Sequence, residues 1–185
     1  MPCNLFLDRD GTIIEHIPYL HDPAGVRLLL GVKEALAAAK ARGDKLFLFT
    51  NQSGVGRGMF TLADAEACNA RMLELLGLGD DLFTGVCVAP EAPGEPSRYR
   101  KPKPDFILET IDAHGLDPSR CIMIGDAISD WKAGLNAGIT ALAVTSDLTT
   151  EKSEGERRAL GVPHFPGLAE AMASVVGCND PRLDA

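Results

Sequence analysis

The chain has 185 residues, 45% of them hydrophobic, with 18 lysines and arginines against 26 aspartates and glutamates. This length is enough to bury one substantial core and short for two, so we expect a single domain over residues 1–185. The net charge of −8 disfavours nonspecific attraction to nucleic acid or to anionic membrane.

Short apolar runs alternate with longer amphipathic segments along the chain, which is typical of strand–helix–strand units. Runs short enough to be strands buried on both faces lie at residues 4–7, 45–49, 85–88, 121–124 and 140–144. Segments with helical spacing lie at residues 32–42, 62–76, 105–114, 128–137 and 168–176. The order predicts an α/β fold, a three-layer Rossmann-like parallel sheet with helices on both faces.

Two stretches fit neither pattern. Residues 89–100 hold three prolines and a glycine and are predicted as a loop, and residues 146–158 are polar and charged and are predicted to be exposed on the surface. No apolar run approaches the roughly 18 residues of a membrane span, and no leader precedes the first strand. The scattered cysteines lack metal spacing and are expected to be reduced thiols, so we expect a soluble, cytoplasmic protein: Cys3, Cys68, Cys87, Cys121 and Cys178.

Two carboxylates follow the first predicted strand, in the sequence Asp8-Arg9-Asp10-Gly11-Thr12. Open parallel sheets bind ligands at the carboxyl ends of their strands, and unpaired buried carboxylates need a cation or a shared proton. Mg²⁺ meets that need, because it takes hard oxygen ligands and bridges to phosphate. The alternative is an ordinary turn in which the aspartates cap the next segment.

The second predicted strand ends in Thr50-Asn51-Gln52-Ser53-Gly54. A hydroxyl, an amide and successive backbone N–H groups before a helix form a neutral anion cradle. The same residue types are also good helix caps, and on its own this segment favours the capping interpretation.

Basic residues and two prolines alternate in Arg100-Lys101-Pro102-Lys103-Pro104, just before a predicted helix. Lys101 is predicted to reach phosphoryl oxygens, and Arg100 to bind another oxyanion of the substrate. A basic run is usually a solvated face, but the prolines favour a fixed position.

The fourth predicted strand ends in Gly125-Asp126-Ala127-Ile128-Ser129-Asp130. Asp126 is the natural third oxygen ligand for a metal. Asp130 has three interpretations that we weigh equally, namely metal contact, orientation of Lys101 and capping of the next helix.

Taken together, Asp8-x-Asp10-Gly-Thr, Thr50, Lys101 and Gly-Asp126-x-x-x-Asp130 resemble the four motifs of the haloacid dehalogenase superfamily of phosphatases. Residues 6–12, 50–58 and 100–102 are similar to its heptose bisphosphate phosphatase and histidinol-phosphatase branch. The gaps between the motifs are too short for the large cap domain of many relatives, so the site is expected to be open.

The resemblance implies a Mg²⁺-dependent phosphomonoester hydrolase that forms an aspartyl-phosphate on Asp8, acting on a small sugar phosphate such as heptose 1,7-bisphosphate. Asp10 is then the acid and base, while Thr50, Asn51 and Lys101 hold the phosphoryl group.

The resemblance also implies which residues bind the metal and the substrate. Its metal ligands are Asp8, Asp126 and the carbonyl of Asp10, with Asp130 as a possible fourth. The resemblance places Ser53, Arg57 and Arg100 near the leaving group. His16 and Tyr19 are further candidates, although a lone histidine more often lies on the surface and a tyrosine more often packs.

Members of this branch commonly carry a structural zinc in the loop before Arg-Lys-Pro, bound by a Cys-x-His and a Cys-x-Cys pair. The matching positions here are Ala89, Glu91, Ser97 and Tyr99, which are no zinc set, so we predict no zinc. Three prolines are expected to stiffen the loop instead.

Three other functions are weighed against the sugar phosphatase. Histidinol phosphate is a second candidate substrate. A polynucleotide 3′-phosphatase is similar around residues 50–52 and 99–102, but acidic charge without a basic stripe disfavours it. A binding module without catalysis is disfavoured, because each catalytic position holds a competent residue.

We expect a small phosphorylated metabolite as partner rather than nucleic acid or membrane, and a monomer, with a dimer as the alternative.

Overall fold

A computed structural model describes residues 2–175, and its centre is a six-stranded parallel sheet. The strands are β1 (Asn4–Leu7), β2 (Lys45–Asn51), β3 (Gly85–Ala89), β4 (Cys121–Gly125), β5 (Thr140–Val144) and β6 (His164–Phe165). Their order across the sheet is β3-β2-β1-β4-β5-β6. The central strand β1 therefore has β2 on one side and β4 on the other.

Helices cover both faces of this sheet. They are α1 (Val32–Arg42), α2 (Ser53–Gly56), α3 (Leu62–Leu76), α4 (Asp105–His114), α5 (Ile128–Asn136), α6 (Glu151–Ala159) and α7 (Leu168–Ser174). Side chains alternate along β1, so Leu5 and Leu7 pack with α1, α3 and α7, whereas Phe6 packs with α4 and α5. The predicted three-layer Rossmann-like architecture is confirmed.

The apolar runs and helical spacings locate most elements to within two residues. Three predicted strands extend further towards their carboxyl ends, namely β2, β3 and β4. The helix predicted at 128–137 ends one residue earlier, at Asn136. The last helix ends at Ser174, and the final residue predicted for it, Val176, lies outside the described residues.

Residues 146–158 include no buried residue, as predicted, but from Glu151 onward they form α6, a helix that the sequence pattern did not predict. A capping box between Thr150 and Ser153 starts this helix, and the Lys132–Glu156 ion pair at 2.8 Å ties it to α5. The helix buries none of its residues, so it lacks the apolar stripe that would have revealed it. The short elements α2 and β6 were missed as well.

The chain between β1 and α1 and between β2 and β3 is folded into short local structures and helices. Between β1 and α1 the chain forms a 3₁₀ turn at Pro23–Gly25 and isolated bridges at Ile14, and between β2 and β3 it forms α2 and α3.

Within residues 2–175, no helix is long and apolar enough to cross a membrane. The four described cysteines are buried outside any disulfide, and Cys178 lies outside the described residues.

A threonine caps the amino end of both α3 and α6, so the contribution of each cap to stability can be compared. In both boxes the threonine Oγ1 accepts a backbone N–H, from Asp64 at the start of α3 and from Ser153 at the start of α6. We expect Thr61→Ala to lower the free energy of unfolding by about 1 kcal/mol, because α3 buries five residues. Thr150→Ala should cost less than half of that, because α6 can fray without exposing the core. Urea unfolding followed by fluorescence of the buried Trp131 measures both, and equal losses would contradict the expectation.

Candidate active site

The predicted site residues lie at the carboxyl edge of three adjacent strands. Leu7 is in register with Leu48 of β2 and Ile124 of β4, so Asp8, Thr50 and Asp126 follow at the same edge. The Arg9 carbonyl then accepts the backbone N–H groups of residues 12, 13 and 14, which fixes the turn after β1. The structure thus brings the first, second and fourth motifs together, as the strand pattern predicted.

A buried lysine joins two of these carboxylates. Lys101 Nζ lies 2.6 Å from Asp8 Oδ1 and 2.7 Å from Asp130 Oδ1, and it donates to the Phe49 carbonyl at 2.6 Å. All three charged side chains are buried. Asp130 also accepts the Ala127 N–H at 2.9 Å, so it orients Lys101 and caps α5 at once.

Asp126 completes a compact carboxylate cluster with Asp8 and Asp130. One oxygen from each of the three lies within 4.8 Å of the others. Asp126 Oδ2 is buried and has no hydrogen-bond partner among the described residues. Three carboxylates around one ammonium leave two uncompensated negative charges, so the residues present fit a divalent cation bound through oxygen.

The electrostatics of the cluster follow from burial. Burial raises the pKa of Asp8 well above its usual value, although Lys101 opposes the shift. Burial, with repulsion from Asp130, raises the pKa of Asp126 to about 7. Burial lowers the pKa of Lys101, but Asp130 and Asp8 raise it by more, so the ammonium stays protonated. The cluster therefore holds one fixed positive charge and more carboxylates than that charge can neutralise.

Asp10 lies at the same edge but outside this cluster. Its carboxylate accepts hydrogen bonds from Arg9 at 3.0 and 3.1 Å and from Gln52 Nε2 at 2.8 Å. The Asp10 side chain lines the cavity beside the cluster. Asp10 therefore borders the space open to a ligand, and its roles as acid and base, and as a metal ligand through its backbone carbonyl, stay predictions.

The residues at the carboxyl end of β2 and just after it make a different set of contacts from the predicted cap. The Asn51 amide bonds to both backbone groups of Lys101, with Lys101 N–H donating at 3.0 Å and the Lys101 carbonyl accepting at 3.1 Å. Buried Thr50 accepts a bond from Gln52 Nε2 at 2.8 Å. No side chain caps the short helix α2, so these residues position one another and Lys101.

A cavity of about 360 Å³ opens above the cluster. Of the residues predicted near the leaving group, Ser53 lines this cavity, as do the further candidates His16 and Tyr19, whereas Arg57 and Arg100 do not. Tyr19 adopts a left-handed φ of 55°, its carbonyl accepts a bond from His21 Nδ1 at 2.9 Å, and the His21 ring stacks on Phe60. The loop that carries Tyr19 is thereby held against the chain between α2 and α3.

Arg100 lies just outside the cavity. Its guanidinium donates to the Glu91 carbonyl at 2.8 Å, and its N–H to Ser97 Oγ at 2.9 Å. Burial lowers the pKa of Arg100, and the nearby Arg57 guanidinium lowers it further, against the effect of Glu91. Glu95 also opposes the lowering, so Arg100 lies among charges of both signs.

The loop in which the resemblance led us to look for a zinc site is built from other contacts. Ala89 ends β3, and its carbonyl accepts the Gln52 N–H at 2.7 Å. Ser97 Oγ is taken by Arg100, and Tyr99 Oη donates to Glu109 at 2.8 Å. The four matched positions offer neither a thiolate nor an imidazole, so they do not fit zinc, and its absence stays a prediction.

The fold and the cluster define a class, that of Rossmann-like α/β enzymes with carboxylates and a lysine at the carboxyl edge of a parallel sheet. Residues 23–138 match the haloacid dehalogenase-like hydrolase family, and the chain belongs to that family.

Curated relatives include the D-glycero-beta-D-manno-heptose-1,7-bisphosphate 7-phosphatases of Helicobacter pylori and Haemophilus influenzae. The first is 40% identical over 153 residues, covering 80% of this chain and 88% of the relative. The second is 33% identical over 159 residues, covering 82% and 86%.

A D,D-heptose 1,7-bisphosphate phosphatase from B. bronchiseptica, crystallised with magnesium and phosphate, has the same fold. Its TM-score is 0.84 at 24% identity, covering 95% of this chain and 98% of that one. The predicted superfamily and its heptose bisphosphate phosphatase branch are confirmed.

Sequence reasoning missed two residues of the site, Arg9 and Gln52. Both were quoted within motifs but given no role, although each donates to the Asp10 carboxylate. The available signal was position, because a charged residue between two site aspartates and directly after a buried strand requires a buried partner.

Gly125 is a position where the cluster tolerates no side chain. An added Cβ would lie 2.6 Å from the Asp130 Cβ, so Gly125→Ala must displace Asp130 from Lys101. We expect a loss of about 1–3 kcal/mol in the free energy of unfolding, measured by urea titration with circular dichroism. Gly155→Ala is the matched control, because its Cβ meets nothing within 4 Å in α6. Its stability should hold or rise, and a loss at Gly125 no larger than at Gly155 would contradict the expectation.

Proposed function

We propose that the chain is a Mg²⁺-dependent phosphomonoesterase that removes the 7-phosphate of a heptose 1,7-bisphosphate through an aspartyl-phosphate on Asp8. The observation that carries the proposal is the buried cluster of Asp8, Asp126 and Asp130, in which Lys101 pairs with Asp8 and Asp130. The relatives' printed activity supplies the substrate.

The chemistry uses two carboxylates in turn. Asp8 attacks phosphorus, the bond from phosphorus to the sugar oxygen breaks, and Asp10 gives its proton to that oxygen as the alcohol leaves. Asp10 then takes a proton from water, which attacks the aspartyl-phosphate, releases inorganic phosphate and restores Asp8. The proton that Asp10 loses in the first step is regained in the second.

The remaining residues hold the phosphoryl group. Lys101 supplies a fixed positive charge, Asn51 holds the backbone of Lys101 in place, and Thr50 supplies a hydroxyl group. Asp8, Asp126 and the Asp10 carbonyl would hold Mg²⁺, with Asp130 beside them. When bound, Mg²⁺ neutralises charge on the phosphoryl oxygens.

The cavity fits an extended substrate. It accommodates the sugar next to His16, Tyr19 and Ser53, and we place the second phosphate towards Arg57 and Arg100 beyond its edge. The guanidinium groups of Arg57 and Arg100 offer positive charge to a second phosphate, which a heptose bisphosphate carries and histidinol phosphate lacks. The acidic net charge of −8 likewise disfavours an oligonucleotide.

We include in the proposal a cytoplasmic setting without zinc, with the protein acting as a monomer or, alternatively, a dimer. The four buried thiols outside disulfides support the reducing, cytoplasmic setting.

Replacing the nucleophile tests the proposal directly. In Mg²⁺, the wild type should release phosphate from heptose 1,7-bisphosphate, and Asp8→Asn should reduce kcat by more than about a thousandfold. Phosphate release and thermal unfolding are measured on the same samples. Asp81→Asn, which changes an exposed carboxylate that pairs with Lys40, is the matched control and should keep wild-type turnover.

The same assay separates the rival functions. Both anomers of the bisphosphate, histidinol phosphate and a 3′-phosphorylated oligonucleotide are compared at equal concentration. Folded Asp8→Asn with wild-type turnover would disprove the nucleophile, and faster turnover of another substrate would replace the heptose assignment. Tight binding without turnover would support the binding module instead.

The cation is tested without measuring activity. Mg²⁺ at a hundredfold excess over its Kd should raise the melting temperature of the wild type by about 5 °C or more, through preferential binding to the folded state. Asp126→Asn should lose this shift, because it removes a cluster carboxylate with an unpartnered oxygen. Asp117→Asn, at an exposed turn, should retain it. An unchanged shift in Asp126→Asn would show that Mg²⁺ binds elsewhere.

A further inference from the structure

Arg9 is a fully buried arginine between the two aspartates of the first motif. Its Nε donates to Asp10 Oδ2 at 3.1 Å, and its NH2 donates to Asp10 Oδ1 at 3.0 Å. This planar fork holds both oxygens of the carboxylate at once, which restricts rotation of the Asp10 side chain. Because Arg9 has no exposed surface, it is an internal support and is not placed to contact substrate.

The other end of the guanidinium is fixed from α3. Arg9 NH1 donates to Asn69 Oδ1 at 2.9 Å, and more weakly to the Ala65 carbonyl at 3.5 Å. Asn69 is only 9% exposed, on a helix otherwise buried through apolar and small residues. A buried polar side chain on an apolar helix face is costly unless it is hydrogen-bonded, and here its partner is the arginine that holds Asp10.

Gln52 makes the two oxygens of Asp10 unequal. Its Nε2 donates to Oδ2 at 2.8 Å and to Thr50 Oγ1 at 2.8 Å. Oδ2 therefore accepts two hydrogen bonds, from Arg9 and Gln52, whereas Oδ1 accepts one. Oδ1 is therefore left with more unused hydrogen-bonding capacity than Oδ2.

We propose that Asn69 is a positioning residue for the reaction, which orients Asp10 through Arg9 so that Oδ1 exchanges the proton. The inference rests on the proposed function, since it assigns the support of the acid and base of that reaction. In the first step Oδ1 gives its proton to the leaving sugar oxygen, and in the second it takes one from the attacking water. Arg9 and Asn69 exchange no proton and form no bond with substrate.

The geometry explains why a helix distant in sequence matters to the chemistry. Proton transfer depends on a heavy-atom separation of about 3 Å in a fixed direction, so a small rotation of the carboxylate is costly. Without Asn69, NH1 keeps only the long contact to Ala65, and the fork is free to tilt. In the first step, which kcat/KM reports, the loss should be specific to substrates whose leaving group needs a proton, whereas the second step is shared by all substrates.

Three substitutions at one position test the proposal. Asn69→Leu removes the acceptor at similar volume, Asn69→Ala removes it with less strain, and Asn69→Asp keeps an oxygen acceptor for Arg9. For each, kcat and KM are measured in Mg²⁺ with heptose 1,7-bisphosphate, whose alcohol needs protonation, and with 4-nitrophenyl phosphate, whose phenolate does not. The ratio of the two kcat/KM values is the readout, because loss of folded protein lowers both values equally.

We expect this ratio to fall by roughly tenfold or more in Asn69→Leu and Asn69→Ala, with KM for the bisphosphate unchanged, and to recover in Asn69→Asp. If Asn69→Leu fails to fold, Asn69→Ala decides in the same way. An unchanged ratio, or an Asn69→Asp as impaired as the leucine variant, would overturn the inference and leave the proposed function intact. A wild type inactive on both substrates would instead overturn the proposed function, and this inference with it.

Discussion

The buried ammonium of Lys101, held between Asp8 and Asp130, is the constraint on which the site depends. Like charges at the ends of neighbouring strands repel each other, and burial strengthens the repulsion, because little water remains to screen it. Lys101 compensates part of this charge and also binds the Phe49 carbonyl, so one side chain joins β1, β2 and α5. The carboxylates keep their close spacing because the lysine cannot leave without exposing them to one another.

Such a cluster is costly for the folded state, and the sheet around it offsets that cost. Leu5, Leu7 and Phe6 are fully buried on the two faces of β1, directly before the cluster begins. Burying an aliphatic or aromatic side chain of this size contributes about 1.5–3 kcal/mol each. The central strand therefore serves two purposes, since its apolar residues anchor both layers and its end delivers Asp8 to the edge.

Much of this arrangement could be predicted from the sequence, because parallel strands end at one edge and Asp8 and Asp126 each follow an apolar run. Local patterns identify such strand ends, and motif resemblance adds Lys101. They do not identify which side chains pair across the fold. Asn69 is one polar position in an amphipathic helix, and its contact with Arg9 exists only after α3 has packed. The helix α6 was missed for a related reason, since its residues are almost all polar and form no apolar stripe that would indicate a packed helix.

The central position of β1 has a consequence for how this protein can evolve. Its residues are in register with strands on both sides, and successive side chains point to opposite layers. A single inserted residue within β1 would turn the Asp8 carboxylate away from Lys101 and disturb both neighbouring pairings. Insertions in the surface loop that carries Tyr19 would leave those pairings intact. Selection can therefore alter the choice of substrate through loop length while the strand ends tolerate almost no change in length.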